Sequence, residues 1–358
     1  MDSKYEALFT PWKIGNVEIK NRIVMTSMGG TSIFGWMEPN HFDEEAAKFL
    51  MERAKNNVGL ILPGIAPILN PMLGQWLYSN KGMYRKLKAY MVEFHKTGAK
   101  LFVQLTAGFG RSFAINSTME KIENNKVLNF LAKPVLNVDR ICASASPSPN
   151  RWSDKVPSRA LTVKEIEKMV QAFAKTAKLL KEAGVDGVEI HAVHEGYLLD
   201  QFTLKYVNKR TDQYGGTFEN RYRFPVEIVK AIKEACGKDY PVSLRYSVVS
   251  KTKGMRQGAL PGETYTEVGG IWPRVRKRPS IFRMPATICS TAITAPMMPG
   301  IGRIRRSICR RTATSRMSNT SRSSSPSRSS VQAVWIPSPP MTPSRKASSM
   351  AWALPVSS

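Results

Sequence analysis

Between Ile23 and Tyr246 the chain alternates short apolar runs with longer stretches of helical period. The apolar runs are Ile23–Met28, Val58–Leu62, Lys100–Leu105, Gly187–His191 and Pro241–Tyr246. Helices are expected between them. Asp43 offers an N-cap for a helix over Glu44–Asn56 with Ala47, Leu50, Met51 and Ala54 on one face. A second helix spans Met83–Thr97, stopped by Gly98. Thr162 and Glu165 have capping-box spacing ahead of a helix that carries Ile166, Met169, Val170, Phe173, Ala177 and Leu180 and ends at Gly184. A fourth runs over Arg221–Ala235. Strand, helix, strand, helix implies parallel strands with helices outside. The fold expected is α/β, a TIM (β/α)8-type barrel with about five strands present by Tyr246; a closed barrel of this type needs eight. Ile14–Ile19 reads as a small hairpin strand plugging the barrel base, and Ser112–Ala160 as a long irregular loop, a lid over the site.

The net charge of +26 would mislead if read as a property of the whole chain. No Asp or Glu follows Glu267, and Gly269–Ser358 holds 13 Arg and 2 Lys, whereas the preceding part holds 26 Lys, 12 Arg and all 27 acids. The last segment also holds 11 of the 23 prolines and Ser-rich runs such as Ser321–Ser330, without a sustained period. Composition of this kind stays disordered. The chain therefore divides into 1–268, an incomplete barrel domain, and 269–358, an Arg/Ser/Pro-rich non-globular tail. Two origins compete for the tail. One is an Arg/Ser segment that binds RNA through phosphate charge. The other is a shift of reading frame near Val268, favoured by the loss of acids and the switch from Lys to Arg. Cys142, Cys236, Cys289 and Cys309 have no paired spacing, so neither a disulfide framework nor a metal site is expected. No apolar run reaches membrane-spanning length, and Met1–Lys13 lacks the apolar centre of a signal peptide, so the expected location is cytoplasmic.

Chemistry concentrates after the fourth apolar run. His191 ends it, His194 and Tyr197 follow, and Asn208, Arg210, Asp212, Tyr214, Gly215, Gly216, Asn220, Arg221 and Arg223 form a dense polar motif. Titratable groups just past the carboxyl end of a buried strand mark a barrel active site; a polar surface loop is the plainer alternative. Two histidines at this spacing could ligate a metal, but no third ligand follows at metal-site spacing. The motif from Asn208 to Arg223 reads as an ion-pair network that fixes the loop and caps the next helix. At the other strand ends stand Thr26, Ser27, Met28 and Gly29, then Gly64 and Ile65, then Gln104, and finally Arg245, a cation costly to place inside a barrel without a partner. For Met28 and Ile65, plain core packing serves equally well.

The stretch HAVHEGYLLDQF followed by NKRTDQYGGTFENRYRF resembles the Old Yellow Enzyme superfamily of flavin oxidoreductases, within it the 2-enoate reductase and 2,4-dienoyl-CoA reductase branch. The resemblance runs from about Tyr5 to about Glu267. It implies FMN lined by Thr26, Ser27, Met28, Gly29, Gly64 and Ile65, with Gln104 reading the pyrimidine edge and Arg245 beside N1–O2. It implies that His191 and His194 hydrogen-bond a substrate oxygen and that Tyr197 is the proton donor. The reaction it implies is hydride transfer from flavin N5 to the β-carbon of an activated C=C bond, then protonation of the α-carbon. A tyrosine, with an ordinary pKa of about 10, keeps that proton at neutral pH. Glu195 and Gly196 both separate His194 from Tyr197; many members have one residue there, and the enoate and dienoyl-CoA branch has this longer interval. Full-length relatives also carry a four-cysteine 4Fe-4S motif and a domain for FAD and NADH; no C-x-x-C or G-x-G-x-x-G occurs here.

The function expected is an FMN-dependent ene-reductase taking electrons from NADH and reducing a small-molecule enoate or enoyl thioester. A membrane or nucleic-acid partner is not expected, and homo-oligomerisation is left open. The alternatives are a basic RNA-binding protein acting through its tail and an inactive truncated product.

Overall fold

The computed structural model describes residues 3–192, 196–247, 252–255, 257–260, 262–266 and 268, and two short strands at 290–294 and 304–305. The sheet runs through β1 (Val24–Met25), β2 (Leu60–Ile61), β3 (Lys100–Thr106), β4 (Gly187–His191) and β5 (Val242–Ser247), each parallel to the next. Helices α1 (Glu44–Lys55), α2 (Lys81–His95), α3 (Val163–Glu182) and α4 (Phe218–Cys236) fill the crossovers. This is the barrel architecture expected, present as a parallel half-barrel. The sheet continues with β6 (Ser290–Thr294), parallel to β5, and Ile304–Arg305, antiparallel to β6. No strand had been expected there, because a five-residue run is too short for periodicity to reveal.

The helix boundaries follow their caps. Asp43 accepts from Ala46 N at 2.9 Å and opens α1 as expected. The Thr162–Glu165 capping box is fully formed and opens α3. Helix α2 begins two residues earlier than periodicity indicated, because Asn80 Oδ1 accepts from Met83 N. Helix α4 begins at Phe218 rather than Arg221 for the same reason, with Thr217 as the cap. Unsatisfied N–H groups at a helix start, more than apolar period, decide where it begins.

Along each parallel strand, alternate side chains face opposite sides. One set, including Ile61, Leu101, Val103, Leu105, Val188, Ile190, Val242 and Leu244, joins the large core shared with the helices. The other set faces the barrel interior. At the amino end it is apolar: Val24, Leu60, Leu62 and Phe102 pack against Ile14 and Ile19. Those two come from the hairpin Trp12–Ile14/Val17–Ile19, which plugs the base as expected. Gly187 lies in register with Phe102, and a Cβ there would come within 2.7 Å of the Phe102 ring, so only glycine admits that ring.

The segment Ser112–Ala160 is more regular than expected. It contains short helices Ser117–Glu123, Lys126–Ala132 and Val138–Ile141, capped by Asn116, Asn125 and Asn137. A local core of Phe113, Val138, Ile141, Cys142 and Val156 holds it. The Cys142 thiol is fully buried there and burial pushes its pKa up to about 12; Cys236, at the end of α4, is buried too and raised to about 11.

The motif after β4 is a structural clamp. Asn208 donates to Phe202 O and Tyr214 O, and Arg221 to Thr203 O and Gly216 O. Arg210 ties three segments together, donating to Ala145 O at 3.0 Å, to Leu161 O at 2.6 Å and through Nε to both oxygens of Asp212 at 2.9 and 3.1 Å. The hydrogen bonds from Arg210 hold the Asp212 carboxyl below its ordinary pKa. A carboxylate with a depressed folded pKa stabilises the fold fully above its unfolded pKa of about 3.9, and that contribution disappears as pH falls through the folded value. In urea unfolding between pH 6 and pH 3, Asp212→Asn is therefore expected to be less stable than wild type at pH 6, with the gap closing steadily below about pH 4. A gap independent of pH would remove the ion pair from the account.

Candidate active site

The interior changes character toward the carboxyl ends of the strands. Above the Phe102 layer come Gln104 of β3, Glu189 of β4 and Ser243 of β5, and above them His191 and Arg245, which are in register with one another. Gln104, Glu189, Ser243 and His191 are all buried. Buried polar groups at this density require partners. Ser27, just past β1, donates through Oγ to Gln104 Oε1 at 2.9 Å. Arg245 Nη1 donates to Ser27 O at 3.3 Å and lies 3.5 Å from Gln104 Oε1. Gln104 donates through Nε2 to Glu189 Oε1, and Ser243 Oγ lies 3.4 Å from Glu189 Oε2. Three residues singled out in sequence, Ser27, Gln104 and Arg245, are thus brought into one network from three strands.

Other predicted residues form the rim. Thr26 is buried, Met28 half-buried and Gly29 exposed. Gly64 closes the gap between two strand-end loops: its N–H donates to Thr31 O and Oγ1, and a Cβ would come within 2.7 Å of Met28 O and Ser32 N. Its neighbour Ile65 is half-buried. At Gly29, Gly30 and Gly108, by contrast, an added Cβ would meet nothing within 4 Å, so open space borders the strand ends there.

Tyr197 stands between two rings. Its centroid is 4.7 Å from that of His191, at 68°, and 4.7 Å from that of Phe109, at 73°. The residue before it, Gly196, has φ +83°, a conformation that penalises a side chain. Gly196 is gripped at both ends of its peptide. Its N–H donates to Asp200 Oδ2 at 2.5 Å, and its carbonyl accepts from Gln201 Nε2 at 2.7 Å and from Ser112 Oγ at 2.6 Å. Gln201 also donates to Phe109 O and accepts from Arg111 N, so one amide ties the peptide before Tyr197 to the backbone at Phe109 and Arg111. His194 lies outside the described residues, as do Val193 and Glu195. Sequence reasoning did not single out Glu189, Asp200, Gln201, Ser112 or Phe109. Period-2 alternation along Gly187–His191 could have flagged Glu189, which shares a face with His191.

A parallel half-barrel with its polar groups gathered past the carboxyl ends of the strands is the site architecture of a barrel enzyme. Residues 7–284 match the model of the NADH:flavin oxidoreductase / NADH oxidase family, and the chain belongs to that family. It is 39% identical over 285 residues to cinnamate reductase of Clostridium sporogenes, covering 75% of this chain and 38% of that protein. It is 33% identical over 259 residues to NADH oxidase of Thermoanaerobacter brockii, covering 69% of this chain and 35% of that protein. The chain thus spans little more than a third of the length of these curated relatives. Among solved structures, 2-naphthoyl-CoA reductase in complex with 2-naphthoyl-CoA superposes with a TM-score of 0.54 at 25% identity, over 70% of this chain and 36% of that one. Old Yellow Enzyme from a Pichia species superposes with a TM-score of 0.59 at 24% identity, over 80% and 70%, and shares the barrel fold.

The clamp on Gly196 yields a test. Gln201→Leu leaves Gly196 O and Phe109 O without this donor and Arg111 N without this acceptor, in a buried setting. A loss of roughly 1–3 kcal/mol in unfolding free energy is expected. Chemical denaturation reads it; a loss within about 0.5 kcal/mol, typical of an ordinary surface change, would mean that Gln201 does not hold the loop.

Proposed function

We propose that this chain contains the flavin-binding barrel of an FMN-dependent ene-reductase that reduces the C=C bond of an α,β-unsaturated acid or thioester with electrons from NADH. The observation that carries the reading is Tyr197, seated between His191 and Phe109 past the end of β4, where His191 is in strand register with Arg245 of the Ser27–Gln104–Arg245 network. Support for the substrate class comes from a relative named for cinnamate and a solved neighbour that holds 2-naphthoyl-CoA.

The donor set suits a flavin. Gln104 offers an amide, Ser27 a hydroxyl and Arg245 a cation, at strand ends bordered by the open space beside Gly29. In this reading Thr26, Ser27, Met28 and Gly29 line the cofactor with Gly64 and Ile65, while Gln104 and Arg245 hold its polar edge. Bound FMN supplies the hydride. The remaining chemistry belongs to the protein. His191, with His194, donates a hydrogen bond to the substrate carbonyl oxygen and stabilises the negative charge that develops there. Tyr197 holds a proton on Oη and delivers it to the α-carbon. Phe109 packs edge-on against the tyrosine ring and helps to hold its orientation. The FAD and 4Fe-4S motifs of full-length relatives do not occur in this sequence, so no residue is assigned to either group.

Replacing Tyr197 by Phe retains the ring contacts and removes the proton. Alkene reduction is expected to fall at least a hundredfold, in line with loss of a general acid, while reduction of the flavin by NADH is unchanged. Stopped-flow measurement of the two half-reactions separates them, and unimpaired alkene reduction would take Tyr197 out of the mechanism.

The same proposal takes 1–268 as the incomplete barrel domain and the acid-free segment after it as the product of a shift of reading frame near Val268; the family match ends a short way further on, at residue 284. Intact mass and peptide mapping of protein from its native host are expected to give acidic peptides beyond that point and a mass above 40.0 kDa. Recovery of the Arg/Ser peptides at that mass would overturn it.

A further inference from the structure

Glu189 is a buried carboxylate in the middle of β4, 1% exposed, and the reaction as derived above gives it no task. Its position is fixed by register. Gln104 of β3 and Glu189 of β4 are paired residues, so their side chains leave the sheet on the same face at the same height. The Gln104 amide meets Glu189 with its NH2 and meets Ser27 and Arg245 with its oxygen. An ionised carboxylate only accepts hydrogen bonds. With Glu189 beside it, Gln104 can turn only its NH2 that way, and its oxygen must face the other. A glutamine between neutral neighbours would be free to flip, since its two ends have nearly the same shape. Glu189 is also the carboxylate that shares Gln104 with the Arg245 guanidinium, so the two opposite charges flank one amide in a low-dielectric interior.

We propose that Glu189 is a positioning residue for the flavin site: it fixes the polarity of the Gln104 amide and offsets the Arg245 charge, and so sets both the affinity for FMN and the balance between its oxidised and reduced forms. This rests on the reading of the site as an FMN site. Two consequences are separable. Amide polarity affects how tightly oxidised FMN is held. The carboxylate charge disfavours the reduced, more negative flavin, so removing it makes reduction easier.

The experiment uses the full chain as wild type, Glu189→Gln and Glu189→Asp. Binding of oxidised FMN is read by quenching of its fluorescence, and the midpoint potential of the bound flavin by dye-coupled redox titration. Glu189→Gln is nearly isosteric, loses the charge and lets Gln104 flip. It is expected to bind oxidised FMN at least fivefold more weakly and to raise the ratio of reduced to oxidised affinity at least tenfold, about 30 mV for a two-electron couple. Glu189→Asp keeps the charge but draws it back by one carbon. It is expected to weaken oxidised FMN at least fivefold while holding the affinity ratio within about threefold of wild type. A purely structural role would weaken binding in both variants and leave the ratio alone. Should Glu189→Gln not fold, the uncharged Glu189→Met takes its place in the redox titration, and an affinity ratio unmoved in it, or wild-type affinity in Glu189→Asp, would overturn the proposal. Wild type that binds FMN, with a potential unmoved in Glu189→Gln, overturns this inference alone. Wild type that takes up no FMN overturns the site reading and this inference with it.

Discussion

Parallel register, combined with two-residue alternation, determines what every side chain in this molecule can touch. Residues paired across β3, β4 and β5 leave the sheet on the same face at the same level. Moving one strand by a single residue would send Gln104 or Glu189 into the helix-covered layer and bring Val103 or Val188 into the interior. The apolar layer of Ile14, Ile19, Leu60, Leu62 and Phe102 opposes such a slip, because it would expose that layer to polar partners. The amino-end core therefore acts at a distance on the chemistry above it. It holds the strands in the one register that stacks Gln104 beside Glu189 and His191 beside Arg245.

The second level of order is local. Tyr197 sits on a short connection between β4 and the helix Leu198–Thr203, and a tyrosine on a loop would ordinarily sample several rotamers. Here the preceding peptide is gripped by Asp200, Gln201 and Ser112, and the ring lies between two others. Each grip comes from a buried polar side chain whose cost is offset only by completing its hydrogen bonds. If Tyr197 is the proton donor proposed above, positioning of this kind favours rate more than stability, because the donor must be in place before charge appears.

Much of this was legible in the sequence because it follows from short-range rules. The strand–helix alternation, the Asp43 cap, the Thr162–Glu165 box and the base hairpin all depend on neighbours a few residues apart. Ser27, Gln104 and Arg245 were found as polar residues at strand ends and through the family resemblance. Glu189 was not, although its place between Val188 and Ile190 marks it as a polar residue on an otherwise apolar strand. Its meaning depends on Gln104, 85 positions away, and only register joins them. Asp200 and Gln201 were missed for a different reason. They lie on a six-residue helix, too short for a period, and they grip Gly196 through its backbone groups, which carry no sequence signature. Asn80 and Thr217 show the opposite case, legible signals outweighed by apolar spacing when the helix starts were placed.

Cys142 and Cys236, the buried thiols among the described residues, carry a consequence of their own. Cys142 lies in the local core of the segment between β3 and α3, and Cys236 closes α4. With thiols pushed to about 12 and about 11, both are protonated and shielded at neutral pH, so a thiolate-seeking reagent can modify them only when the surrounding structure opens. The native chain thus carries two clocks, one in the excursion beside the catalytic mouth and one in the helical wall. Resolved by peptide, the ratio of their labelling rates would tell whether the region around the site breathes independently of the barrel that supports it.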